Sequence, residues 1–215
     1  MNWTKFFAVA ISIVGMATIT RAQETNEGGN QRFSMHAKIG MDVSQMSGDG
    51  LSGFHKPGAN IGAIVKGKLK NNHAFSIGIE YISKGSRAPI DTLNHNSFAY
   101  RLHYVQIPLL YHFQYSPRLQ FQIGPYASYL IQQNVMANKV VYAITEYGGQ
   151  PAFRSWDVGG CLGASFIFND NNNFLIEFGQ SILPIRPNPS KTNQYSFYES
   201  GNYNSTLSFC WMHQF

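Results

Sequence analysis

Eight stretches of the sequence alternate between apolar and polar residues with a period of two. The clearest is FSMHAKIGMDV (33–43), in which every odd position is apolar and the even positions are Ser, His, Lys, Gly and Asp. A period of two places alternate side chains on opposite faces of a β-strand. The other stretches are 59–69, 74–82, 98–113, 119–131, 155–168, 174–182 and 202–215. The sequence therefore predicts eight strands, each with one apolar face.

The links between these stretches are alternately short and long. The short ones contain KNN, QYSPR and NDNNN, which are rich in turn-forming residues, and the long ones are 44–58, 83–97, 132–154 and 183–201. Outer-membrane barrels have short periplasmic turns and longer external loops. We therefore predict an all-β fold: an eight-stranded antiparallel up-and-down transmembrane β-barrel with short periplasmic turns and long extracellular loops. Within 132–154, the run KVVYAITEY predicts a hairpin that extends the wall above the membrane.

The apolar face of each strand is expected to contact lipid, because a sheet spans a bilayer only as a closed barrel with an apolar exterior. Charged residues make up 13% of the chain and aromatic residues 14%, which suits such a surface. Aromatic residues occupy the strand ends and aliphatic residues the middle, as two interfacial girdles require. Those expected near the short turns are Phe33, Phe75, Phe113, Phe121, Phe168, Phe174 and Trp211, and those near the long loops are Tyr81, Tyr129, Trp156 and Tyr203.

The polar face of each strand is expected to line the lumen. Eight strands enclose a lumen that side chains just fill, and buried charges there must pair. We therefore expect a packed lumen with no open pore, and a pair between Lys66 and Glu80. The hypothetical lumen charge network comprises Lys38, Lys66, Lys68, Glu80, Asp157 and Glu177.

Two prolines and two cysteines lie within the predicted strands. Pro108 and Pro125 each remove one backbone donor, so a bulge or local slip is expected at each, with the inward and outward assignment beyond Pro108 shifted by one residue. Cys161 and Cys210 both fall on the lumen face. A disulfide between them and two buried free thiols both remain open, with free thiols as the default.

The first residues differ from the rest. Residues 1–22 contain Lys5 followed by the apolar run FFAVAISIVGMA and predict a signal peptide cleaved before Gln23. Residues 23–32 are a Gly- and Asn-rich flexible lead, and 33–215 form the predicted outer-membrane β-barrel domain. The formal charge is +5, but the basic residues are scattered, so no nucleic-acid partner is expected.

Three strand segments carry further information about the family of this chain. They are YVQIPLLYHF with Ile107, Pro108 and Leu109, GPYASYL with Gly124, Pro125 and Tyr126, and DVGGCLGASF. As a set, they resemble the PorT-like family of outer-membrane β-barrel proteins of Gram-negative bacteria. The resemblance runs over nearly the whole chain after residue 22 and implies a fold similar to the OmpA and OmpX type, integral in the outer membrane. Most members have no assigned activity. One namesake is linked to a secretion apparatus, and no residue here supports transferring that role.

The C-terminal stretch resembles the assembly signal of barrel-forming proteins. It alternates over 202–215 and carries Trp211 and the terminal aromatic Phe215. This resemblance implies recognition by the barrel-assembly machinery during biogenesis. Pairing of this strand with the first would also leave no free sheet edge.

No catalytic or metal motif is evident, and no cofactor is expected. The seven His residues are dispersed, without an HxH or HExxH pair. Ser208 and His213 lie five residues apart on one strand and therefore point to opposite faces, which argues against a nucleophile and base pair. The leading hypothesis is a structural or protein-interaction barrel, not an enzyme. Its contacts are outer-membrane lipid and, through loops 132–154 and 183–201, an envelope protein or glycan.

Three other functions stay open. A lipid-directed barrel enzyme requires an essential Ser or His, a barrel of the lipocalin type that binds a small ligand requires an apolar lumen, and a passive pore requires conductance.

Overall fold

The computed structural model describes residues 33–51, 53–88, 98–138, 140–143, 152–187 and 201–215. The predicted signal peptide (1–22) and lead (23–32) lie outside these residues, as do parts of all four long links. The strands are β1 (Phe33–Ser47), β2 (Lys56–Lys68), β3 (His73–Arg87), β4 (Phe98–Ser116), β5 (Leu119–Ala137), β6 (Val140–Ala143), β7 (Trp156–Asn169), β8 (Asn172–Ser181), β9 (Arg186–Pro187) and β10 (Gly201–Gln214). No helix among the described residues is long and apolar enough to span a membrane.

Eight of these strands form a closed antiparallel barrel, which confirms the predicted fold class. Neighbours in sequence pair with each other, and β1 pairs with β10 to close the wall. The short β6 pairs with β5, and β9 pairs with β10. Following the strand register once around the barrel leads from Met35 back to Gln45 on β1, an advance of ten residues. This stagger means that the strands tilt relative to the barrel axis.

The alternation places apolar side chains outside and polar ones inside, as predicted. Ile39, Ile77 and Ile123 are exposed on the outer wall, whereas Asp42, Glu80 and Gln122 are buried in the lumen. Phe168 stacks on Trp211 at the end of the barrel with short turns. Trp156 packs edge-on against Tyr129 at the other end. The aromatic residues thus form two rings around an aliphatic band.

Tyr203 differs from its predicted place in the outer aromatic ring. It is buried, because the first six residues of β10 are covered on both faces. The two-residue period of this segment is real, but it does not reveal that both faces of these six residues are buried.

The strands extend farther toward the long loops than the apolar alternation predicted. β4 and β5 each run for 19 residues, and β3 continues to Arg87 within the stretch assigned to the 83–97 link. The predicted hairpin is confirmed for β6, which pairs with Asn134–Ala137 of β5. Its position above the membrane stays a prediction. Residues 144–151 of the same loop lie outside the described part.

The prolines interrupt pairing without shifting the strand register, so the predicted shift is wrong. Pairs are missing opposite and beside Pro108 and Pro125, as expected for residues without an N–H group. Inward and outward positions nevertheless continue unchanged, since Gln106, Pro108 and Leu110 all face the lumen. The register shifts of the β4–β5 pair lie instead at His103/Tyr104 and Gln114/Ser116.

Candidate functional site in the barrel lumen

A buried ion triad occupies the middle of the lumen. The Lys38 ammonium on β1 donates to Glu80 on β3 at 3.0 and 3.1 Å and to Glu177 on β8 at 3.1 Å. The second oxygen of Glu177 accepts a hydrogen bond from the Gln122 amide at 2.6 Å. Lys38 and Glu80 are each 1% exposed. The triad therefore forms a cross-link between three strands in a space closed to bulk water.

A second ion pair lies closer to the long loops. Lys84 on β3 donates to Asp157 on β7 at 3.0 Å, and both are fully buried. Asp157 also accepts hydrogen bonds from Ser181 at 2.6 Å and Asn204 at 3.1 Å. The Lys84 ammonium lies 4.2 Å from the ring centre of Tyr126, a cation–π distance. The sequence-based network omitted Lys84, although its even position continues the lumen face of Glu80 and Ile82.

Lys66 and Lys68 lie apart from both ion groups. The ladder places Lys66 opposite Ser76 and Glu80 opposite Gly62, so Lys66 and Glu80 do not share a level and the predicted pair is wrong. The Lys66 ammonium instead donates to Gln120 at 2.6 Å. Lys68 is exposed at the end with short turns. The network thus includes Lys38, Glu80, Asp157 and Glu177 and excludes the two remaining lysines.

An apolar cluster fills the lumen beyond the second ion pair. Its members are Met46, Ile82, Tyr100, Leu102, Tyr104, Val135, Phe153 and Ile185. The Arg186 guanidinium lies 5.0 Å from the Tyr100 ring centre and 4.6 Å from that of Phe153, and its Nε donates to Asn202 at 2.8 Å. Side chains therefore close this end of the lumen. The sequence-based interpretation missed this plug because it assigned four of these eight residues, Met46, Val135, Phe153 and Ile185, to loops.

The cysteines and the Ser208 and His213 side chains occupy the positions that their parity suggested. Cys161 and Cys210 are both buried free thiols. Ser208 is buried in the lumen, while His213 is exposed on the outer wall and bonded to Asn172. No group of three or more His, Cys, Asp or Glu side chains in the described ranges is arranged to hold a metal ion.

The segments that resemble the PorT-like family lie side by side on β4 and β5. Pro108 pairs with Tyr126 and both face the lumen, whereas Ile107, Leu109 and Pro125 face outward. Gly124 lies where β4 passes closest, and a Cβ atom there would be 2.0 Å from the Leu109 carbonyl oxygen. Trp211 on β10 faces outward, and Phe215, the residue after β10, is also exposed. The Phe215 amide donates to the Met35 carbonyl at 3.0 Å, which joins this end to β1.

Several solved structures of bacterial proteins are similar to this chain. The attachment invasion locus protein Ail of Yersinia pestis has a TM-score of 0.50 and 10% identity, over 86% of this chain and 100% of that one. Neisserial surface protein A has a TM-score of 0.46 and 14% identity, over 87% and 100%. OprG of Pseudomonas aeruginosa has a TM-score of 0.45 and 10% identity, over 87% and 98%. At these identities the similarity to Ail concerns the fold alone.

A search of curated protein sequences gives no match. The family model described as the outer membrane protein beta-barrel domain matches residues 21–182, which is most of the chain. The closed barrel, its apolar exterior and its filled polar lumen agree with that match. The chain belongs to the outer membrane protein beta-barrel domain family.

Proposed function

We propose that this protein is a closed, PorT-like outer-membrane barrel that serves as a structural or protein-interaction element and conducts no solute. Export by the signal peptide at 1–22 and insertion by the barrel-assembly machinery, with Trp211 and Phe215 as the recognised end, belong to the same proposal. It assigns no catalytic residue, metal or cofactor to the lumen. The observation that supports this proposal is that side chains fill the lumen.

The lumen is blocked at three successive levels. The Lys38 triad and the Lys84–Asp157 pair each span the interior, and the apolar cluster around Leu102 and Tyr104 closes the end near the long loops. Moving a hydrated solute through would require breaking buried ion pairs, each of which costs several kcal/mol when one charge loses its partner. A lumen lined by charge also lacks the apolar cavity that a lipocalin-type ligand needs.

A partner is expected to contact the surface above the membrane. The β5–β6 hairpin presents Val140 and Val141, which are 50% and 56% exposed. Apolar side chains on an exposed strand outside the lipid region suit contact with another protein. The hairpin belongs to loop 132–154, which the sequence selects together with 183–201 as the contact surface for an envelope protein or glycan.

The first test is conductance. Purified barrel inserted into planar bilayers is expected to give no discrete current steps, because the ion triad and the apolar plug fill the lumen. A large-pore outer-membrane porin inserted in the same way verifies that insertion yields channels. Discrete steps whose size changes in a Lys38→Met variant would show conduction through the lumen and would reject a closed barrel.

The second test is contact at the hairpin. A photo-crosslinking residue at Val141 is expected to give one discrete protein adduct in intact cells, since this side chain projects above the membrane. The same probe at Ile77, in the middle of the lipid-facing wall, provides the control and should give none. Identical adduct patterns from the two positions, or no adduct at Val141, would contradict the interaction role.

A further inference from the structure

A pocket of about 230 Å³ lies on the outer wall, formed by β2, β3, β4 and β5 near the long loops. Its lining includes the cationic side chains Lys56, Arg87 and Arg101, together with Ser83 and His103. These residues, apart from Lys56, occupy outward positions of β3 and β4. The pocket therefore faces the surroundings of the barrel and is separate from the lumen.

The pocket lies at the upper aromatic ring. Tyr81 belongs to this ring of aromatic residues. Its hydroxyl and the Nδ1 atom of His103 are hydrogen-bonded at 2.6 Å. Arg101 lies two residues beyond His103 on the same face of β4, about 7 Å farther along the strand. Aromatic rings of this kind sit at the level of lipid headgroups. The cationic side chains thus lie at or just above the headgroup level.

Lys56 enters the pocket in an unusual way. Its position on β2 has lumen parity, yet its ammonium donates to the Ser83 carbonyl at 2.6 Å and to the Ser83 hydroxyl at 2.9 Å. The paired part of β2 and β3 ends at Asn60 and Ile82, so the side chain reaches across where the ladder is open. Lys56 is only 4% exposed. Two neutral oxygens hold the ammonium in place without neutralising it.

In the described part of the chain, no carboxylate lies within 4.0 Å of the three cations of the pocket. Among the described residues, the ion pairs within 4.0 Å involve only Lys38 and Lys84 as cations, so none contains Lys56, Arg87 or Arg101. At longer range, the Lys56 ammonium interacts with the Asp42 carboxylate and with the Arg101 guanidinium. Like charges held together in a partly desolvated site favour the arrival of an anion.

The wall below the pocket is apolar. Ile79 and Ile107, on the same two strands, are 53% and 48% exposed on the lipid-facing surface. An amphiphile at this place would meet aliphatic side chains with its tails and cations with its headgroup. A soluble anion would use only the cations.

We propose that the pocket formed by Lys56, Arg87 and Arg101 binds a phosphate group of an outer-leaflet glycolipid, whose acyl chains lie along Ile79 and Ile107. Arginine guanidinium groups pair with phosphate through two parallel hydrogen bonds, and lysine adds a compact positive charge. The Ser83 hydroxyl, held by Lys56, is a further polar group beside the phosphate. The proposal depends on the outer-membrane location and is independent of whether the long loops bind a protein.

The test compares binding of three probes to the full barrel in detergent micelles. The probes are a diglucosamine lipid with two phosphates, the same lipid after dephosphorylation, and inorganic phosphate. Native mass spectrometry is expected to show one tightly retained copy of the phosphorylated lipid. Loss of one charge-assisted contact weakens binding by about tenfold or more, so the dephosphorylated lipid should bind at least that much more weakly.

Two double variants make the test specific. Arg87→Gln with Arg101→Gln removes two cations from the pocket, and Lys68→Gln with Lys70→Gln removes two exposed cations from the opposite end of the barrel. Only the first should lose the phosphorylated lipid, while both should keep the heat-modifiable mobility of a folded barrel. Equal retention by both variants, or equal binding of the dephosphorylated lipid, overturns the proposal. Inorganic phosphate that binds as tightly as the lipid would identify a soluble-anion site and would also overturn it.

Discussion

Replacing Lys38 with methionine is expected to lower the free energy of unfolding by about 3–5 kcal/mol, because two buried carboxylates lose their common cation. Glu80 and Glu177 both bind the Lys38 ammonium within 3.1 Å, and the lumen offers them no bulk water. The measurement is urea unfolding of the refolded barrel, followed by emission of Trp156 and Trp211, which lie at opposite ends of the wall.

Two further variants separate the lost charge from the changed shape. Lys66→Met removes a cation that donates only to the neutral Gln120, so its effect should be much smaller. Lys38→Met combined with Glu80→Gln and Glu177→Gln removes the whole charge triad and should recover most of the lost stability, since no buried charge is left without a partner. If the triple variant is as unstable as Lys38→Met alone, the ion triad is not the source of the effect.

Substituting Gly124 with alanine should destabilise the barrel by about 1–3 kcal/mol, because the new methyl group collides with the backbone of β4. Its Cβ would lie 2.0 Å from the Leu109 carbonyl oxygen, a rigid atom. Gly160→Ala on β7 is the matched control, since its nearest atom would be 3.8 Å away. Urea midpoints of the two variants provide the comparison. Equal midpoints would mean that β4 and β5 move apart without cost.

The barrel was predictable from sequence because one local rule decides both faces of every strand. An outward Ile77 or Ile123 and an inward Glu80 or Gln122 follow from parity alone, without knowledge of any neighbour. The partner of each charge in the lumen does not follow from parity. Lys38 meets Glu177 across a gap of 139 residues, and this contact depends on the stagger accumulated around the barrel. The wrong pair between Lys66 and Glu80 arose because neighbouring strands were taken to place the two residues at the same level, whereas the β2–β3 register places Lys66 opposite Ser76.

The part of the barrel near the long loops was harder to predict for a different reason. There both faces of a strand are covered or polar, so the alternation fades although the backbone remains extended. Lys84 and Tyr100 therefore fell within or beside segments taken as loops, and the apolar plug and outer pocket went unnoticed. Continuing the even positions from Glu80 through Ile82 to Lys84 would have placed Lys84 in the lumen, although not its pairing with Asp157. The pocket depends on Lys56 reaching across strands, which no periodicity reveals.

The Lys38 triad also affects whether β1 and β10 can separate. β1 and β10 meet at the seam where the first and last strands close the cylinder, and Lys38 reaches past β10 to Glu177 on β8 while holding Glu80 on β3. The Lys38 ammonium therefore connects strands on both sides of that seam. Some barrels release molecules sideways into lipid when their first and last strands separate. In this barrel, such a separation would break the ion pair between Lys38 and Glu177. Ion pairs inside the lumen therefore oppose opening of the barrel between β1 and β10.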